Sequence, residues 1–175
     1  SIEVQVDSAS QQYRKGPLMP LDYNSPLTAY TAEKKDLYDM GEMPPLGHVP
    51  KQMYGWAIRK ERHGEPDTAM LQEVLDVPEL DNYDVLVLVM AAGINYNGVW
   101  AALGVPISPF DGHKQPYHIA GSDASGIVWA VGSKVTRWKL GDEVVIHCNQ
   151  DDGDDEECNG GDPMYSTSQR IWGYE

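Results

Sequence analysis

The sequence predicts a mainly β fold with short helices, arranged as a small barrel or sandwich. Short, uncharged runs rich in β-branched residues are typical of strands, and Val85–Met90 is the clearest of them. Turns that contain Gly and Pro separate these runs at regular spacing, which is the pattern of small all-β domains. The 175 residues, 41% of them hydrophobic, suffice for one packed domain with an extension.

The first part of the chain is predicted to lie outside the barrel. Residues 1–29 are polar and interrupted by prolines, so we expect a flexible leader. Residues 30–52 form a predicted extended arm, with one or two helical turns over Tyr30–Tyr38 that Thr31 would cap. The prolines of Met43–Pro50 exclude regular structure there. We therefore expect the arm to lie over the barrel or over a partner subunit.

Residues 53–175 carry the predicted barrel. Its strands are expected at Tyr54–Ile58, Met70–Val77, Val85–Met90, Ile127–Gly132 and Glu143–His147. Arg59–Pro66 is predicted to be a charged, hairpin-like connection, Ser108–Gln115 a loop, and residues 133–142 a turn-rich connection. A short helix is expected over Val99–Leu103, ended by Gly104 and the proline that follows.

The last residues resemble a strand without a partner. Arg170–Glu175 is predicted to be a strand or the approach to one, and no later residue could pair with it. A chain that stops inside an element suggests a segment of a longer protein, so we expect the barrel to be incomplete.

Charge and composition exclude several classes of function. The net charge of −14 and pI of about 4.6 argue against binding to nucleic acid or to anionic membranes, which both need a basic patch. No apolar run approaches the ~20 residues of a spanning helix, and the N-terminus does not resemble a signal peptide. Cys148 and Cys158 are therefore expected to be reduced thiols in the cytoplasm. The acidic run Asp151–Glu157 does not fit an EF-hand and is predicted to be a solvated loop, with cation binding left open.

Polar residues that follow the third predicted strand mark a candidate site. Val85–Met90 leads into Ala91-Ala92-Gly93 and then into Asn95-Tyr96-Asn97-Gly98. The small residues would let a flat ligand ring or another chain segment approach the backbone closely. The amides and the phenol beyond them could line an active site. Asn-Gly is also a common turn pair, and these residues alone favour an ordinary strand followed by a turn.

A second pattern lies further along the chain, in Gly121–Val128, Val131-Gly132 and Gly141–Val144. The glycines fall where tight turns need positive φ, and the valines fall where core strands are expected. This order resembles the GroES-like catalytic domain of the medium-chain dehydrogenase/reductase superfamily over residues 53–175, with an unrelated β barrel as the alternative. The resemblance implies a GroES-like barrel and a Rossmann cofactor domain that is expected to follow but is absent from this sequence.

The resemblance also bears on metal binding. Zinc-dependent members of that superfamily have Cys, His and Glu where this sequence has Asn95, Ser122 and Asp123. Amide and hydroxyl groups are poor zinc ligands, and one carboxylate cannot hold the ion. Two cysteines are too few for a structural zinc lobe. We therefore expect no zinc, which narrows the resemblance to the zinc-free quinone and enoyl reductases.

Within that zinc-free group, several segments resemble the crotonyl-CoA carboxylase/reductases. They are Met43–Pro50, Ala92–Trp100, Pro116–Asp123, His147–Gln150 and Gln169–Glu175. The resemblance implies that NADPH reduces crotonyl-CoA and that CO2 captures the resulting enolate, giving ethylmalonyl-CoA. No glycine-rich dinucleotide fingerprint occurs, so residues 1–175 alone are expected to bind NADPH weakly and to be inactive.

The same resemblance implies roles for individual residues. Asn97 would hydrogen-bond CO2 or face the nicotinamide side of the pocket, Tyr174 would pack against CO2, and Glu175 would hold an ordered water. Asn95 and Tyr96 are assigned to the cofactor side. The resemblance further implies a cytoplasmic homo-oligomer, a dimer or a dimer of dimers, that binds a CoA thioester and CO2. From the residues alone, a helix cap at Asn97 and a surface carboxylate at Glu175 are favoured, and the resemblance reverses that preference.

Two other functions stay open at this point. An enoyl-CoA or quinone reductase without carboxylation would keep the fold and the cofactor but would protonate the enolate. A non-catalytic β-barrel module would keep only an interface between subunits. The set of Asn97, Tyr174 and Glu175 favours the carboxylating enzyme over the reductase without carboxylation. A nucleotide-binding continuation of the reading frame would decide between the enzyme and the non-catalytic module.

Overall fold

The computed structural model describes residues 33–39 and 42–174, and within them three antiparallel sheets carry the fold. The strands are β1 (Gln52–Ile58), β2 (Leu71–Asp76), β3 (Val85–Ala92), β4 (His118–Ile119), β5 (Ala124–Val131), β6 (Glu143–Ile146), β7 (Asn149–Gln150) and β8 (Arg170–Ile171). The helices are α1 (Pro66–Ala69), α2 (Tyr96–Leu103) and α3 (Pro109–Gly112), with 3-10 turns at Lys60–Arg62 and Pro163–Tyr165. The predicted leader, residues 1–29, lies outside the described residues. None of the described helices has the length and apolar character needed to cross a membrane.

The first sheet has the order β2–β1–β4. The segment between β1 and β2 differs from the predicted hairpin-like connection at Arg59–Pro66, because it contains a 3-10 turn and the start of α1. The charges of this segment are the reason. Arg59 and Arg62 both turn back to Glu73 on β2, with nitrogen–oxygen distances of 2.5 and 2.6 Å. These two ion pairs hold the connection against the sheet.

The shared carboxylate of Glu73 should contribute measurably to stability. Hydrogen bonds from Arg59 and Arg62 lower the pKa of Glu73 to about 2. The stabilisation is therefore present at neutral pH and is lost as the pH falls from about 4.5 to about 2. We expect Glu73→Gln to lower the free energy of unfolding by about 1–3 kcal/mol in urea titrations at pH 7, because two half-buried guanidinium groups lose their partner. The exposed Glu79→Gln serves as the control, and equal stability of the two variants would contradict this account.

The second sheet has the order β3–β5–β6, so β5 is its central strand. Gly126, Ile127, Val128 and Trp129 of β5 are buried. The prediction that Val85–Met90 is a buried strand is wrong: this run opens β3, which is half-buried at first and exposed at Val89 and Met90. The reason is its place at the sheet edge, where it pairs with β5 on one side only.

The third sheet pairs β7 with β8, and this corrects the expectation that the last strand has no partner. Ile171 lies opposite Asn149, and Arg170 lies opposite Gln150. The partner precedes the strand in the chain, because the acidic residues between β7 and β8 form a long connection that returns to the sheet. Glu175 lies outside the described residues.

One helix starts earlier than predicted and a second lies in a predicted loop, because the residues that cap them were not identified in the sequence. Helix α2 begins three residues before the predicted start, since Asn95 caps it by accepting a hydrogen bond from the Asn97 backbone. It ends as predicted at Gly104, whose φ of 69° is left-handed. The predicted loop Ser108–Gln115 contains α3, which starts with a capping box between Ser108 and Asp111.

The main buried cluster lies between α2, α1 and β1. Its members are Ile58, Ala69, Ala101 and Ala102, with the partly buried Met70, Phe110, Ala120 and Tyr174 packed against them. The small side chains of α2 let that helix approach α1 closely. The packing sets the position of α2, whose first turn carries the residues of the candidate site.

The arm is irregular over residues 33–39 and 42–50, with a turn at Leu46-Gly47. The helical turns expected over Tyr30–Tyr38 are absent from residues 33–38, and residues 30–32 lie outside the described part. The phenol of Tyr38, which is only 8% exposed, donates to the Glu33 carbonyl and accepts from the Lys35 amide. Backbone groups that a helix would use are therefore bonded to this side chain.

The arm contacts the barrel through its backbone. The indole nitrogen of Trp129, in the centre of β5, donates to the carbonyl of His48 at 3.0 Å. A Cβ at Gly47 would come within 2.8 Å of Leu140, so the arm backbone lies directly against the β5–β6 connection. The Gln52 amide also donates to the Asp36 carbonyl at 2.9 Å, which anchors the arm beside β1.

Removing the arm should therefore destabilise the barrel. We expect deletion of residues 1–50 to lower the melting temperature or to dissociate an oligomer, because it exposes Trp129 and removes its acceptor. Deletion of residues 1–26 should change little. Calorimetry and light scattering on both truncations test this, and identical behaviour would refute a docked arm.

Candidate functional site

Three segments distant in the sequence meet beside the first turn of α2. They are residues 95–97, residues 121–123 before β5, and residues 173–174 after β8. The side-chain nitrogen of Asn95 donates to the hydroxyl of Ser122 at 2.9 Å and to the carboxylate of Asp123. The same side chain accepts the Asn97 amide through its oxygen. One capping residue thus joins two of the three segments.

Two glycines allow these segments to approach. A Cβ at Gly93 would lie 3.1 Å from the Cβ of Asp123, so a side chain there would push the carboxylate away. Gly173 has a φ of 93°, and a Cβ on it would lie 3.0 Å from the Gly121 carbonyl. A side chain at Gly173 would be both strained and obstructed. The sequence predicted close approach at Gly93 but not at Gly173.

Tyr174 connects the third segment to α2. Its hydroxyl donates to the backbone carbonyl of Asn97 at 3.4 Å, and burial raises the pKa of this phenol. Tyr174 also packs against the main buried cluster. The structure therefore places Tyr174 beside Asn97, although 77 residues separate them.

The side chain of Asn97 differs from that of Asn95. It is half-buried, and within residues 33–39 and 42–174 its amide has no hydrogen-bond partner, whereas both N–H groups of Asn95 are engaged. Asn95, not Asn97, is the helix cap. An amide that is partly buried and unengaged can donate to or accept from a small ligand at little cost.

A further residue at this site was missed in the sequence. His118, 2% exposed on β4, lies with Nε2 at 2.8 Å from the carbonyl of Gly173. Its Nδ1 lies 3.1 Å from Nε2 of His113, whose pKa is lowered by burial. His113 lies in the predicted loop Ser108–Gln115 and His118 lies three residues beyond it, and their spacing of five gave no period that would have revealed this contact.

The convergent residues do not fit a zinc ion. Asn95, Ser122 and Asp123 do meet, as the superfamily resemblance implies, but the amide N–H groups of Asn95 point at the other two side chains. A hydrogen-bond donor there repels a cation, and amide nitrogen is not a zinc ligand. In the described part of the chain, no three His, Cys, Asp or Glu side chains form a group that could hold a metal.

Zinc content is directly measurable. We expect no stoichiometric zinc in the purified protein, because Asn95 and Ser122 supply a neutral amide and a hydroxyl in place of charged ligands. Elemental analysis would contradict this if it found about one zinc ion per chain that was lost in Asp123→Asn. The Asp142→Asn variant is the matched control.

The acidic loop uses its carboxylates internally. Hydrogen bonds to Asp155 from the Cys158 side chain and backbone, the Ser166 hydroxyl and the Thr167 backbone hold the pKa of this carboxyl well below its usual range. Asp152 similarly accepts from Asp154 and Ser168. Both cysteines are free thiols. The loop residues thus stabilise their own backbone.

A shallow cleft of about 390 Å³ opens beside the converging segments. It is lined by Ala91, Ala92, Gly93, Asp123, Ala124, Ser125, Val145 and Ile146. The small residues among them, Ala91, Ala92 and Gly93, leave room for a flat group against the backbone. Tyr96 is 64% exposed and packs edge-on against Trp100 with ring centroids 5.4 Å apart. An aromatic surface of this kind can contact a ligand ring.

Known proteins of similar sequence and structure share this fold. The profile of the alcohol dehydrogenase GroES-like domain matches residues 81–174. A crotonyl-CoA carboxylase/reductase of Cereibacter sphaeroides is 78% identical over 157 residues, which make up 90% of this chain and 36% of that protein. A solved structure of a crotonyl-CoA carboxylase/reductase matches with a TM-score of 0.80 and 73% identity, over 85% of this chain and 35% of that one. A second, of the crotonyl-CoA carboxylase/reductase AntE in complex with NADP, has a TM-score of 0.72 and 51% identity over 81% of this chain and 36% of that one.

The chain thus spans about a third of the length of these relatives. The match covers both the barrel and the segments that form the site, and the predicted GroES-like fold class is confirmed. The resemblance to the crotonyl-CoA carboxylase/reductases, expected from the sequence, is likewise confirmed, and the chain belongs to the alcohol dehydrogenase GroES-like domain family.

Proposed function

We propose that this chain is the substrate-side part of an NADPH-dependent reductive carboxylase that converts crotonyl-CoA and CO2 into ethylmalonyl-CoA. The observation that carries the proposal is the hydrogen bond that the Tyr174 hydroxyl donates to the backbone carbonyl of Asn97 at 3.4 Å. This bond joins two distant segments of the chain. The similarity to crotonyl-CoA carboxylase/reductases, at 78% identity over 90% of this chain, supports the reaction class.

The proposed reaction has two steps. NADPH supplies a hydride to the β-carbon of the enoyl thioester, which leaves an enolate whose α-carbon is nucleophilic. That carbon forms a bond to CO2, and one C–O double bond of CO2 opens to give the new carboxylate. A proton competes with CO2 for the same carbon, so the site must hold CO2 and exclude water.

The chain's own residues fit the second step. The unengaged amide of Asn97 would donate to a CO2 oxygen, on which negative charge grows as the bond forms. The half-buried ring of Tyr174 would cover CO2 and keep bulk water out. Glu175, next in the chain, would hold an ordered water beside it. These three residues are the proposed catalytic set.

The cofactor side is proposed to be the cleft beside β3. Its small residues would admit the nicotinamide ring, and the exposed ring of Tyr96 would contact the cofactor. Asn95 would act there by fixing Ser122 and Asp123, since both of its N–H groups are engaged. NADPH would be held mainly by a domain outside this chain, and AntE was solved in complex with NADP.

The proposed partners are the reactants and other polypeptide surfaces. They are a CoA thioester, CO2, the remainder of the longer polypeptide and further copies of the protein in a dimer or a dimer of dimers. The location proposed is the cytoplasm. Exposed apolar side chains such as Ile94, Val145 and Trp172 support contacts with other polypeptide surfaces.

Product analysis and NADPH oxidation, measured on the longer protein that contains this chain, test the proposal. With crotonyl-CoA and NADPH, we expect bicarbonate and carbonic anhydrase to change the product from butyryl-CoA to ethylmalonyl-CoA. Butyryl-CoA alone at every bicarbonate concentration would show an enoyl reductase without carboxylation. No NADPH oxidation with crotonyl-CoA would contradict both enzymatic functions and favour a non-catalytic module.

A further inference from the structure

We propose that His118 is a positioning residue that, oriented by His113, fixes the peptide between Gly173 and Tyr174 at the carboxylation site. The inference rests on the proposed function, because it assigns Tyr174 to the CO2 side. It concerns a chain of three hydrogen bonds that runs from the Gln115 amide through both imidazoles to the Gly173 carbonyl.

The direction of these hydrogen bonds follows from the first donor. The Gln115 backbone N–H donates to Nδ1 of His113 at 3.2 Å, so this nitrogen carries no proton. In neutral His113 the proton therefore lies on Nε2, which faces Nδ1 of His118 at 3.1 Å and donates to it. The proton of His118 then lies on Nε2 and points at the Gly173 carbonyl, 2.8 Å away. Each bond sets the tautomer of the next ring.

The residues around His113 and His118 stabilise these tautomers. The two imidazoles lie side by side with ring centroids 5.3 Å apart and planes inclined by only 14°, the nearly coplanar arrangement that an N–H···N bond between two rings requires, and Phe110 packs edge-on against His113. Burial lowers the pKa of His113, which keeps this ring neutral. Protonation of His113 would place a second N–H opposite the Gln115 amide and break the first bond of the chain.

Besides the bond from His118, the structure of residues 42–174 gives the groups of this peptide one other hydrogen bond. The peptide follows β8, which is only two residues long, and the Tyr174 amide donates to the Ile171 carbonyl of the same strand. His118 belongs to β4 in the first sheet, so its hydrogen bond joins the Tyr174 segment to a different part of the barrel. A Cβ at Gly112 would approach the Tyr174 carbonyl within 3.1 Å, so the α3 backbone also lies close to this segment. Loss of the imidazole would free the peptide to shift away from Asn97.

Substitutions can separate positioning from packing. His118→Phe keeps an aromatic ring but removes the donor to Gly173, whereas His118→Gln retains an N–H near the position of Nε2. His113→Phe leaves His118 in place but removes the group that sets its tautomer. His63→Leu is the matched control, because His63 is half-buried like His113, bonds to the Ala102 carbonyl and the Ser108 hydroxyl, and contacts the same Phe110.

Product analysis, kinetics, melting temperature and hydrogen–deuterium exchange are measured on the longer protein that contains this chain. In His118→Phe, we expect the ratio of ethylmalonyl-CoA to butyryl-CoA to fall about five- to tenfold and the KM for CO2 to rise, while NADPH oxidation changes less. His118→Gln should stay within about twofold of the parent ratio, and His113→Phe should lie between the two. His63→Leu should lower the melting temperature and leave the ratio unchanged. Hydrogen–deuterium exchange should accelerate at residues 171–174 in His118→Phe but not in His63→Leu.

An unchanged ratio and unchanged exchange in His118→Phe would overturn the inference, as would an equal change in His63→Leu. If His118→Phe does not fold, the same comparison is made with His113→Phe, and an unchanged ratio and exchange there would overturn it too. Failure of the proposed function is distinguishable, because the parent protein would then form no ethylmalonyl-CoA. The exchange measurement still decides whether His118 fixes the peptide in that case.

Discussion

Replacing Asn97 with leucine should shift the products of the proposed enzyme from ethylmalonyl-CoA towards butyryl-CoA by about tenfold. The half-buried amide of Asn97 has no hydrogen-bond partner in the described residues, so its proposed partner is CO2. A lost hydrogen bond to developing charge costs about 1.5–3 kcal/mol, and a tenfold change needs about 1.4 kcal/mol. Leucine preserves the volume of the side chain and removes both of its polar atoms.

The Asn97→Leu substitution should slow the capture of the enolate by CO2 more than the reduction of crotonyl-CoA. Asn97 matches neither a hydride donor nor an acid, so NADPH oxidation should survive better than carboxylation. Glu175→Ala is expected to act in the same direction. Asn82→Leu is the control, since Asn82 precedes β3 and Asn97 follows it, at opposite ends of an eight-residue strand. The measurement is the ratio of the two products at fixed bicarbonate, and lower turnover with an unchanged ratio would make Asn97 and Glu175 structural.

Replacing Gly126 with alanine should prevent the second sheet from forming normally. A Cβ at Gly126 would lie 2.1 Å from the backbone carbonyl oxygen of Leu88 and 2.8 Å from a methyl group of Val87. The carbonyl belongs to the paired strand β3, so β3 and the central strand β5 would have to separate. Buried overpacking typically costs about 1–3 kcal/mol, and we expect the upper end or more because backbone must move.

The same substitution elsewhere provides the control. At Gly98, inside α2, a Cβ would lie 3.5 Å from Met70, which is ordinary van der Waals contact. Alanine favours a helix interior over glycine by about 0.5–1 kcal/mol, so Gly98→Ala should be neutral or stabilising. Urea unfolding and soluble yield of both variants measure the difference. A Gly126→Ala protein as stable as Gly98→Ala would contradict the register of β3 and β5.

The strands were the most predictable part of the fold. β1, β2, β5 and β6 lie where β-branched runs and Gly turns indicated them. Short elements were not predictable in the same way, because α3 and the pair β7–β8 depend on caps and distant partners rather than on a period. The burial of β3 was wrong for a related reason: composition indicates a strand but does not give its place in the sheet, and here β5 is central.

The candidate site was predictable only in part. Resemblance to a family indicated Asn97 and Tyr174, and the structure brings them together. The mutual hydrogen bonds of Asn95, Ser122 and Asp123 required tertiary structure, since 27 residues separate the first two. His118 was missed because its acceptor is a backbone carbonyl 55 residues away, and a sequence pattern carries no signal for such a contact.

Isotope labelling tests the central claim most directly. The longer protein that contains this chain would be incubated with crotonyl-CoA, NADPH and isotopically labelled bicarbonate with carbonic anhydrase, and the CoA esters analysed by mass spectrometry. The account predicts ethylmalonyl-CoA that carries the label in its free carboxylate, formed in proportion to the NADPH consumed and reduced in Asn97→Leu. Consumption of NADPH with unlabelled butyryl-CoA as the sole product would contradict it.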